Sequence, residues 1–596
     1  MAYKKLDDYI KQMPAKEAAF FNKVFSRRTL MGGAAVATAG AFTGMNMFAT
    51  GPASAQTPEA PALDLTDAAP PENQVIRFAS ATGGARVLDF YEEVYGRPGV
   101  ADLWSDPLVR LSKEFEIIPG AATDWTVSED GMSFVFNLDQ DLMWSDGNPV
   151  TAADYVKTFQ YAADPEHAWD FSWFWLDDIV NFEEAIGGTV PLEEIGVKVG
   201  ANEYQVVFTT KVPAPYLPAK LLYSLPLSKA ALESTGPLYN TNPETTVSAG
   251  PFILEEWVLD QQIVYKRNEA YTGKQQIPLQ RIIVKFADAG TFFNLYDADE
   301  IDYMDGPGPA ELLIMEGDRP DEIFQGVGDF ACLYFFFDVN TAPWDNKLVR
   351  QAFSHVIDRE AMKQQIWTSQ ANPAYSYMMP GFPDANEEGL KDIQKFDPDL
   401  AKQLLAEAGY PDGEGFPSLT LQFRGLPSPI ETSTVNAFAT MVKDNLNIDI
   451  EIQTIDRDTF YTMMNAKPTE ISFGWVSYGM DYFDASNMLS VWKSGGRHSW
   501  NNADFDAKVE EATAFIGDPA QRTALFQEAE RMLVEDCPAI WAYHPTPIQL
   551  IKPYIKGPAL DPDSNGIAAI HWPSFSTTST VLTELYISSD APEGRS

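Results

Sequence analysis

Residues 125–159, WTVSEDGMSFVFNLDQDLMWSDGNPVTAADYVKTF, constrain the fold of this chain more than any other stretch. Glu129-Asp130-Gly131 has Asp-Gly turn chemistry, which supplies a residue at positive φ. Phe134, Phe136 and Leu138 then alternate with Ser133, Val135 and Asn137, the period of a half-buried strand. Ser145-Asp146-Gly147-Asn148-Pro149 reads as a second turn. Thr151 with Asp154 three residues on is a capping box, which predicts a helix with Tyr155, Val156 and Phe159 on one face. Two strands, a tight turn and a capped helix therefore make a packed α+β unit.

The 596 residues are too many for one hydrophobic core, so two or three domains are expected. The net charge of −43 argues against nucleic acid and against docking on anionic lipid, both of which need Lys and Arg. It fits a solvated acidic surface on an exported protein. Attraction of cationic solutes into an acidic cleft stays open as an alternative, since total charge does not locate a cleft.

The first 55 residues read as an export signal. Ser26-Arg27-Arg28-Thr29-Leu30-Met31 resembles a twin-arginine motif, a weakly apolar run follows through Ala49, and Ala53-Ser54-Ala55 offers cleavage after Ala55. Such a signal implies folding before export. The run is too poor in Leu, Ile and Val to favour an uncleaved membrane anchor, and no other segment is apolar enough to span a bilayer. Residues 56–72, rich in Pro, Ala and acid, are expected to form a disordered leader.

The wording of the opening stretch carries a resemblance. Trp125, Ser128, Asp130, Gly131, Phe136, Leu138, Trp144, Asp146, Gly147, Pro149, Thr151, Ala152 and Asp154 fall in register with a known signature. It resembles that of extracytoplasmic solute-binding proteins of the peptide/nickel family, which feed ABC importers. Pro213-Ala214-Pro215-Tyr216, Ala249-Gly250-Pro251-Phe252 with Glu255-Glu256-Trp257, Tyr265-Lys266-Arg267-Asn268 and Glu300-Ile301-Asp302 resemble further segments, so the likeness covers residues 73–596. The resemblance implies a mixed α/β fold of the two-lobed periplasmic-binding-protein type II kind, with an extra subdomain. Lobe I would combine 73–118, 229–331 and 545–596, with 119–228 as its subdomain; lobe II would be 332–544, hinged at crossings near 331 and 544. It implies a periplasmic monomer that uses no cofactor and breaks no bond. Its partners would be an oligopeptide or other small solute, ABC permease subunits and, during export, the twin-arginine translocase.

Periodicity along the chain agrees with α/β architecture. Val75-Ile76-Arg77-Phe78 starts a strand, and Tyr204, Val206 and Phe208 alternate in another. Leu333–Val339 is a continuous apolar run, the pattern of a strand buried on both faces. Leu348, Val349, Ala352, Phe353, Val356 and Ile357 recur at helical spacing. Asp397-Pro398 starts a helix that ends at Gly409. Strands at 419–423 and 448–452 flank a helix bearing Val435, Phe438, Ala439 and Val442.

Enzyme motifs are missing: there is no phosphate loop, no H-E-x-x-H and no G-x-S-x-G. His167, His355, His498, His544 and His571 have no ligand spacing. Asp561-x-Asp563-x-Asn565-Gly566 begins like a calcium loop, but Trp572 stands where a bidentate carboxylate belongs, so a turn is expected. Cys332 and Cys537 lie too far apart for a metal pair. In an oxidising periplasm they could form one disulfide or stand as two small buried hydrophobes; some oligopeptide receptors pair the Cys at the position of Cys332 within the loop that holds Asp481 here, where this chain has none, and two free thiols are the expectation.

Trp475-Val476-Ser477-Tyr478-Gly479-Met480-Asp481-Tyr482 resembles the family's G-W-x-A-D-Y loop, whose Asp pairs with a peptide's α-ammonium. Asp481 falls on that position. Two extra residues leave open whether Trp475 or Tyr478 fills the aromatic slot. A carboxylate beside aromatics in a closing cleft suits an amine, because a buried cation needs a charge partner. Asp338 matches a second acidic cleft position, with a turn-capping role as the alternative, and Phe330 matches an aromatic one. Arg424 is the expected anchor of the other peptide end, though no family motif supports it. Trp173, in the run Trp169–Trp175, could belong to a stacking wall or to the core. The expected function is capture of oligopeptides for an importer; the alternatives are a non-peptide solute such as an oligosaccharide and, last, a hydrolase.

Overall fold

The computed structural model describes residues 63–81, 87–94, 103–273, 276–326, 330–425, 428–563, 566–570 and 578–595. Arg27, Arg28, Ala55, His571 and Trp572 lie outside them. The hairpin forms where the turn chemistry places it: strands Ala122–Val127 and Ser133–Leu138 pair antiparallel around Gly131 at φ +68°. The Asp130 carboxylate accepts from the Ser128 hydroxyl and the Met132 N–H, which holds the turn. Phe134, Phe136 and Leu138 are buried, and strands Gln205–Thr209 and Val197–Val199 complete a four-stranded sheet. Helix Ala152–Ala162 carries its capping box, and Asp154 does a second task. Its carboxylate accepts from the Thr151 N–H at 2.8 Å and from the Lys229 N–H at 2.9 Å, tethering the chain as it leaves this sheet.

Two sheets flank that unit. In the first, Val75–Ser80 lies parallel to Arg281–Phe286, followed antiparallel by Gln262–Arg267 and Phe252–Val258. In the second, Ile548–Ile551 returns from the far end of the chain to pair between Tyr303–Asp305 and Ile323–Gln325. Asp302 explains why distant segments meet here. It is fully buried and accepts from Arg77 at 2.7 Å, Arg595 at 2.6 Å and the Tyr554 hydroxyl at 2.9 Å.

A six-stranded sheet forms the second half, in the order Ala371–Pro373, Ala539–Pro545, Cys332–Phe337, Phe473–Tyr478, Leu419–Arg424, Ile450–Ile455. Every residue of Cys332–Phe337 is buried, as its unbroken apolar run requires. Separate cores cover the two faces, one around Tyr334, Tyr377 and Trp541 and one around Phe335, Phe438 and Trp475. Helix Pro398–Glu407 starts at Asp397, whose carboxylate accepts from the Leu400 N–H, and Gly409 ends it at φ +100°.

Local boundaries differ from the periodicity. Helix Lys347–Ser354 stops before Val356 and Ile357, which are buried from a loop, and Ala437 rather than Ala439 faces the core of helix Pro429–Leu446. The expected leader needs correction from residue 63 onward. Ala69 donates its N–H to the Ile587 carbonyl at 2.8 Å, and Tyr586 donates its hydroxyl to Asp67. Composition could not report a backbone partner more than 500 residues away. Both cysteines are free and buried. Asp563 caps a turn through the Ile567 N–H.

Candidate functional site

The site grows out of the end of strand Phe473–Tyr478. Side chains alternate across a strand, so Trp475 and Tyr478, an odd number apart, point to opposite faces. Trp475 is fully buried, 4.6 Å from the Phe335 ring, and donates its indole N–H to Glu431 at 3.2 Å. Tyr478 donates its hydroxyl to Asp481 Oδ2 at 2.6 Å. The residue beside the carboxylate is therefore Tyr478, and Trp475 belongs to the core.

Asp481 also accepts from Asn487 Nδ2 at 3.2 Å and donates its own N–H to Asn487 Oδ1 at 2.8 Å. Among the described residues, every hydrogen-bond donor to its carboxylate is neutral. Burial pushes its carboxyl above the usual range; the bonds from Tyr478 and Asn487 and the more distant charges of Lys220 and Arg497 pull the other way.

The first half of the chain supplies the facing wall. Tyr223 donates its hydroxyl to the Asp481 carbonyl at 2.7 Å. Tyr482 enters a slot between Tyr216, stacked at 5.8 Å, and Phe174, edge-on at 6.0 Å. The Lys220 ammonium lies 4.1 Å from the Phe174 ring centroid and 5.2 Å from that of Tyr482, and it pairs with Asp178. Trp169, Phe171, Phe174 and Trp175 are buried, whereas Trp173, 4.7 Å from Phe171, is 48% exposed at the wall's edge.

The other expected site residues divide. Phe330 is buried at φ +44° within an aromatic cluster, 5.2 Å from Phe483 and 5.0 Å from Phe115, so it adjoins the Asp481 loop. Arg424 ends strand Leu419–Arg424 and donates to the Tyr461 hydroxyl at 2.8 Å, Ser477 Oγ at 3.4 Å and Glu431 at 3.5 Å. That puts it beside the same strand end. Asp338 lies elsewhere. Cys332 pairs with Tyr478 and Phe337 with Phe473, so Asp338 stands at the opposite end of the strand pair, about 20 Å along it at roughly 3.3 Å per residue. There it is buried and accepts from the Asn340 N–H at 3.2 Å, as a turn cap does.

Sequence reasoning missed Lys220, Tyr223, Asn487 and Arg497. Tyr223 stands 258 residues from the loop it touches, and nothing local marks it.

A family model described as "Bacterial extracellular solute-binding proteins, family 5 Middle" matches residues 116–500. The periplasmic oligopeptide-binding protein OppA of Escherichia coli (strain K12) is 28% identical over 453 residues, 74% of this chain and 81% of that protein. The probable deoxycholate-binding periplasmic protein YgiS of the same organism is 27% identical over 468 residues, 77% of this chain and 85% of that one. Among solved structures, the Escherichia coli murein tripeptide binding protein MppA superposes with a TM-score of 0.67 at 25% identity, covering 88% of this chain and all of that one.

Proposed function

The chain belongs to the bacterial extracellular solute-binding proteins of family 5, and from that premise we propose that it is an extracytoplasmic receptor for oligopeptides, delivering them to an ABC transporter permease. The observation that carries the peptide reading is Asp481: a desolvated carboxylate, hydrogen-bonded among the described residues only by neutral donors, in a loop held between the two halves of the chain. An α-ammonium supplies the missing charge, and a peptide recognised there through its terminus is held with little regard to its sequence.

In this reading the sheets before residue 331 and after 545 form lobe I, with 119–228 as its subdomain, and 332–544 forms lobe II. The chain crosses near 331 and 544, where the His544 ring meets the Ala331 carbonyl at 3.0 Å. Rotation about those crossings lets a monomer close on its solute without bond breaking. Export follows the twin-arginine route, so Arg27→Lys with Arg28→Lys leaves folded precursor in the cytoplasm. Mature protein outside the membrane at wild-type level would remove that route.

The test of the peptide reading is a double cycle by calorimetry: Asp or Asn at 481, against free or N-acetylated peptide. Asp481→Asn strands a buried ammonium and costs about 2–5 kcal/mol of binding. Acetylation costs wild type a similar amount and the variant little more. Additive losses show that Asp481 and the amine do not meet. Native mass spectrometry of co-purified solutes, finding a bile acid or sugar and no peptide, replaces the peptide reading with a non-peptide one.

A further inference from the structure

Asp481 makes both of its side-chain contacts through one oxygen. Tyr478 donates its hydroxyl to Oδ2 at 2.6 Å, and Asn487 donates an Nδ2–H to the same oxygen at 3.2 Å. A carboxylate oxygen has about two lone-pair sites, so Oδ2 is filled. Oδ1 takes no hydrogen bond among the described residues, and Asp481 is only partly buried. Asn487 is where these contacts are organised. It is buried on helix Ala485–Ser490. Its Oδ1 accepts from the Asp481 N–H at 2.8 Å, and its second Nδ2–H goes to the Tyr478 oxygen at 3.1 Å. A backbone N–H only donates, so the amide oxygen must face it, and the amide nitrogen must face Tyr478 and Asp481 Oδ2. One side chain thus bonds both the main chain and the carboxylate of Asp481. Tied at both places, the carboxylate cannot turn about χ1 without breaking a bond. Tyr478 reaches only the carboxylate and does not fix it against its own backbone.

Asn487 is itself held by other groups. Its N–H donates to the Asp484 carbonyl at 3.0 Å. The Asp484 carboxylate accepts from the Ser486 N–H at 3.0 Å and from its hydroxyl at 2.7 Å, and Arg522 pairs with it from outside the loop. The Tyr482 hydroxyl meets Ser486 Oγ at 3.1 Å. The start of the helix is therefore secured without the Asn487 side chain, whose amide is spent wholly on Asp481 and Tyr478. The charged and titratable groups that bear on Asp481 are Tyr478, Lys220, Arg497 and Tyr482. The acids on neighbouring segments, Asp484 and Asp178, are paired with Arg522 and Lys220. Among these influences the bond from Asn487 holds the Asp481 carboxyl down against burial, so its loss moves that carboxyl further up.

We propose that Asn487 is the positioning residue of the ammonium site: it turns Asp481 so that Oδ2 faces the loop and Oδ1 faces the solute. This rests on the peptide reading above. Oδ1 offers about two free lone-pair sites to an ammonium that brings N–H donors. The carboxylate is oriented in advance, so binding the cation does not have to order it first. Asn487 thereby favours free amino termini without touching the solute, because a peptide with a blocked amine has no use for the oriented oxygen.

Calorimetry of the full chain with trialanine and hexaalanine, each free and N-acetylated, reads the consequence. Acetylation costs wild type about 30-fold or more. In Asn487→Leu that ratio falls about tenfold, because the free peptide weakens while the acetylated one keeps its affinity within about threefold. The loss of affinity on acidification also begins at a higher pH than in wild type. Once Asp481→Asn is in place, adding Asn487→Leu changes the ratio by less than about threefold. A packing role would weaken free and acetylated peptides equally, and direct contact with the solute would persist in the Asp481→Asn background; either result overturns the proposal. A crystal structure of wild type with the peptide that binds needs no variant. The ammonium nitrogen should lie within about 3 Å of Oδ1 while Tyr478 and Asn487 keep Oδ2. An ammonium on Oδ2, or an Asn487 turned away from Asp481, overturns the positioning role even if Asn487→Leu does not fold, and leaves the peptide reading intact. Binding of neither peptide, or binding that ignores acetylation, removes the peptide reading and the positioning role with it.

Discussion

Asp481 and Asp484 stand three residues apart on one loop, and their carboxylates keep different company. Asp484 is clasped bidentately by Arg522, at 2.8 and 3.0 Å, and accepts from the Ser486 N–H at 3.0 Å to start helix Ala485–Ser490. Arg522 in turn donates to the Ala512 carbonyl, which ties the loop to helices Ala503–Thr513 and Pro519–Asp536. Both partners of that pair are buried. Asp481 has a phenol and an amide, and the guanidinium of Arg497 lies beyond Tyr478. One acid completes the fold. In the peptide reading proposed above, the other is a half-site for a cation, on a support that the first makes rigid.

Breaking the complete pair gives the largest effect. Arg522→Met leaves Asp484 buried without a counter-charge, and a buried pair broken on one side costs about 3–5 kcal/mol. Urea unfolding should show that loss, and adding Asp484→Asn should recover part of it by removing the stranded charge. A loss under about 1 kcal/mol would mean that the pair does not secure the loop.

A third carboxylate sharpens the contrast, because among the described residues it has no cation, and it is fully buried. Glu530 is fully buried on the helix that carries Arg522, accepting from the Met378 N–H at 2.8 Å. Burial pushes its carboxyl up from 4.5 to about 7. The folded state therefore holds a proton that the unfolded state releases between those values. Stability from this group is highest below pH 4.5, falls as pH rises through about 7 and stays low above. Glu530→Gln keeps the acceptor without the charge, so at pH 8 it should be more stable than wild type by about 3 kcal/mol, with the difference vanishing near pH 4.5. Parallel denaturation curves at the two pH values decide it; a variant less stable at pH 8 would show that Glu530 is ionised and satisfied.

These contrasts also mark what could be read before any coordinates. The hairpin, the Thr151–Asp154 box and the buried strand Cys332–Phe337 follow from local chemistry, and all three form. Asp481 carried a local pattern too, since the loop wording singled it out. The aromatic beside it did not, because two extra residues left the strand's end undefined and with it the side-chain parity that sends Trp475 inward. Asp338 shares its residue type with Asp481 but stands at the other end of the strand pair, a distance set by register. Tyr223, Lys220 and Tyr216 reach the loop only through tertiary packing. Arg497 offered one global clue, a basic residue in a strongly acidic chain, and that clue names no partner.

The smallest expected effect is the most discriminating. Asp481→Asn should change folding stability by less than about 1 kcal/mol, because asparagine still accepts from Tyr478 and Asn487 and no buried cation loses its partner. The sign can even favour the variant. Burial holds the Asp481 carboxyl above its usual range, so its charge adds nothing to folding at neutral pH, and the neutral amide avoids that desolvation. Peptide binding should respond in the opposite sense. A peptide's ammonium keeps its charge in mild acid while Asp481 takes up a proton, so wild-type affinity falls as pH drops through the raised carboxyl range. The variant's weaker affinity should stay flat there. Melting temperatures with and without peptide between pH 4 and 8 read both quantities together, since a bound ligand adds about 2.7 kcal/mol at a hundred times Kd. If Asp481→Asn lowers stability as much as Arg522→Met does, Asp481 is a structural residue like Asp484, and the cation site must be sought elsewhere on the wall.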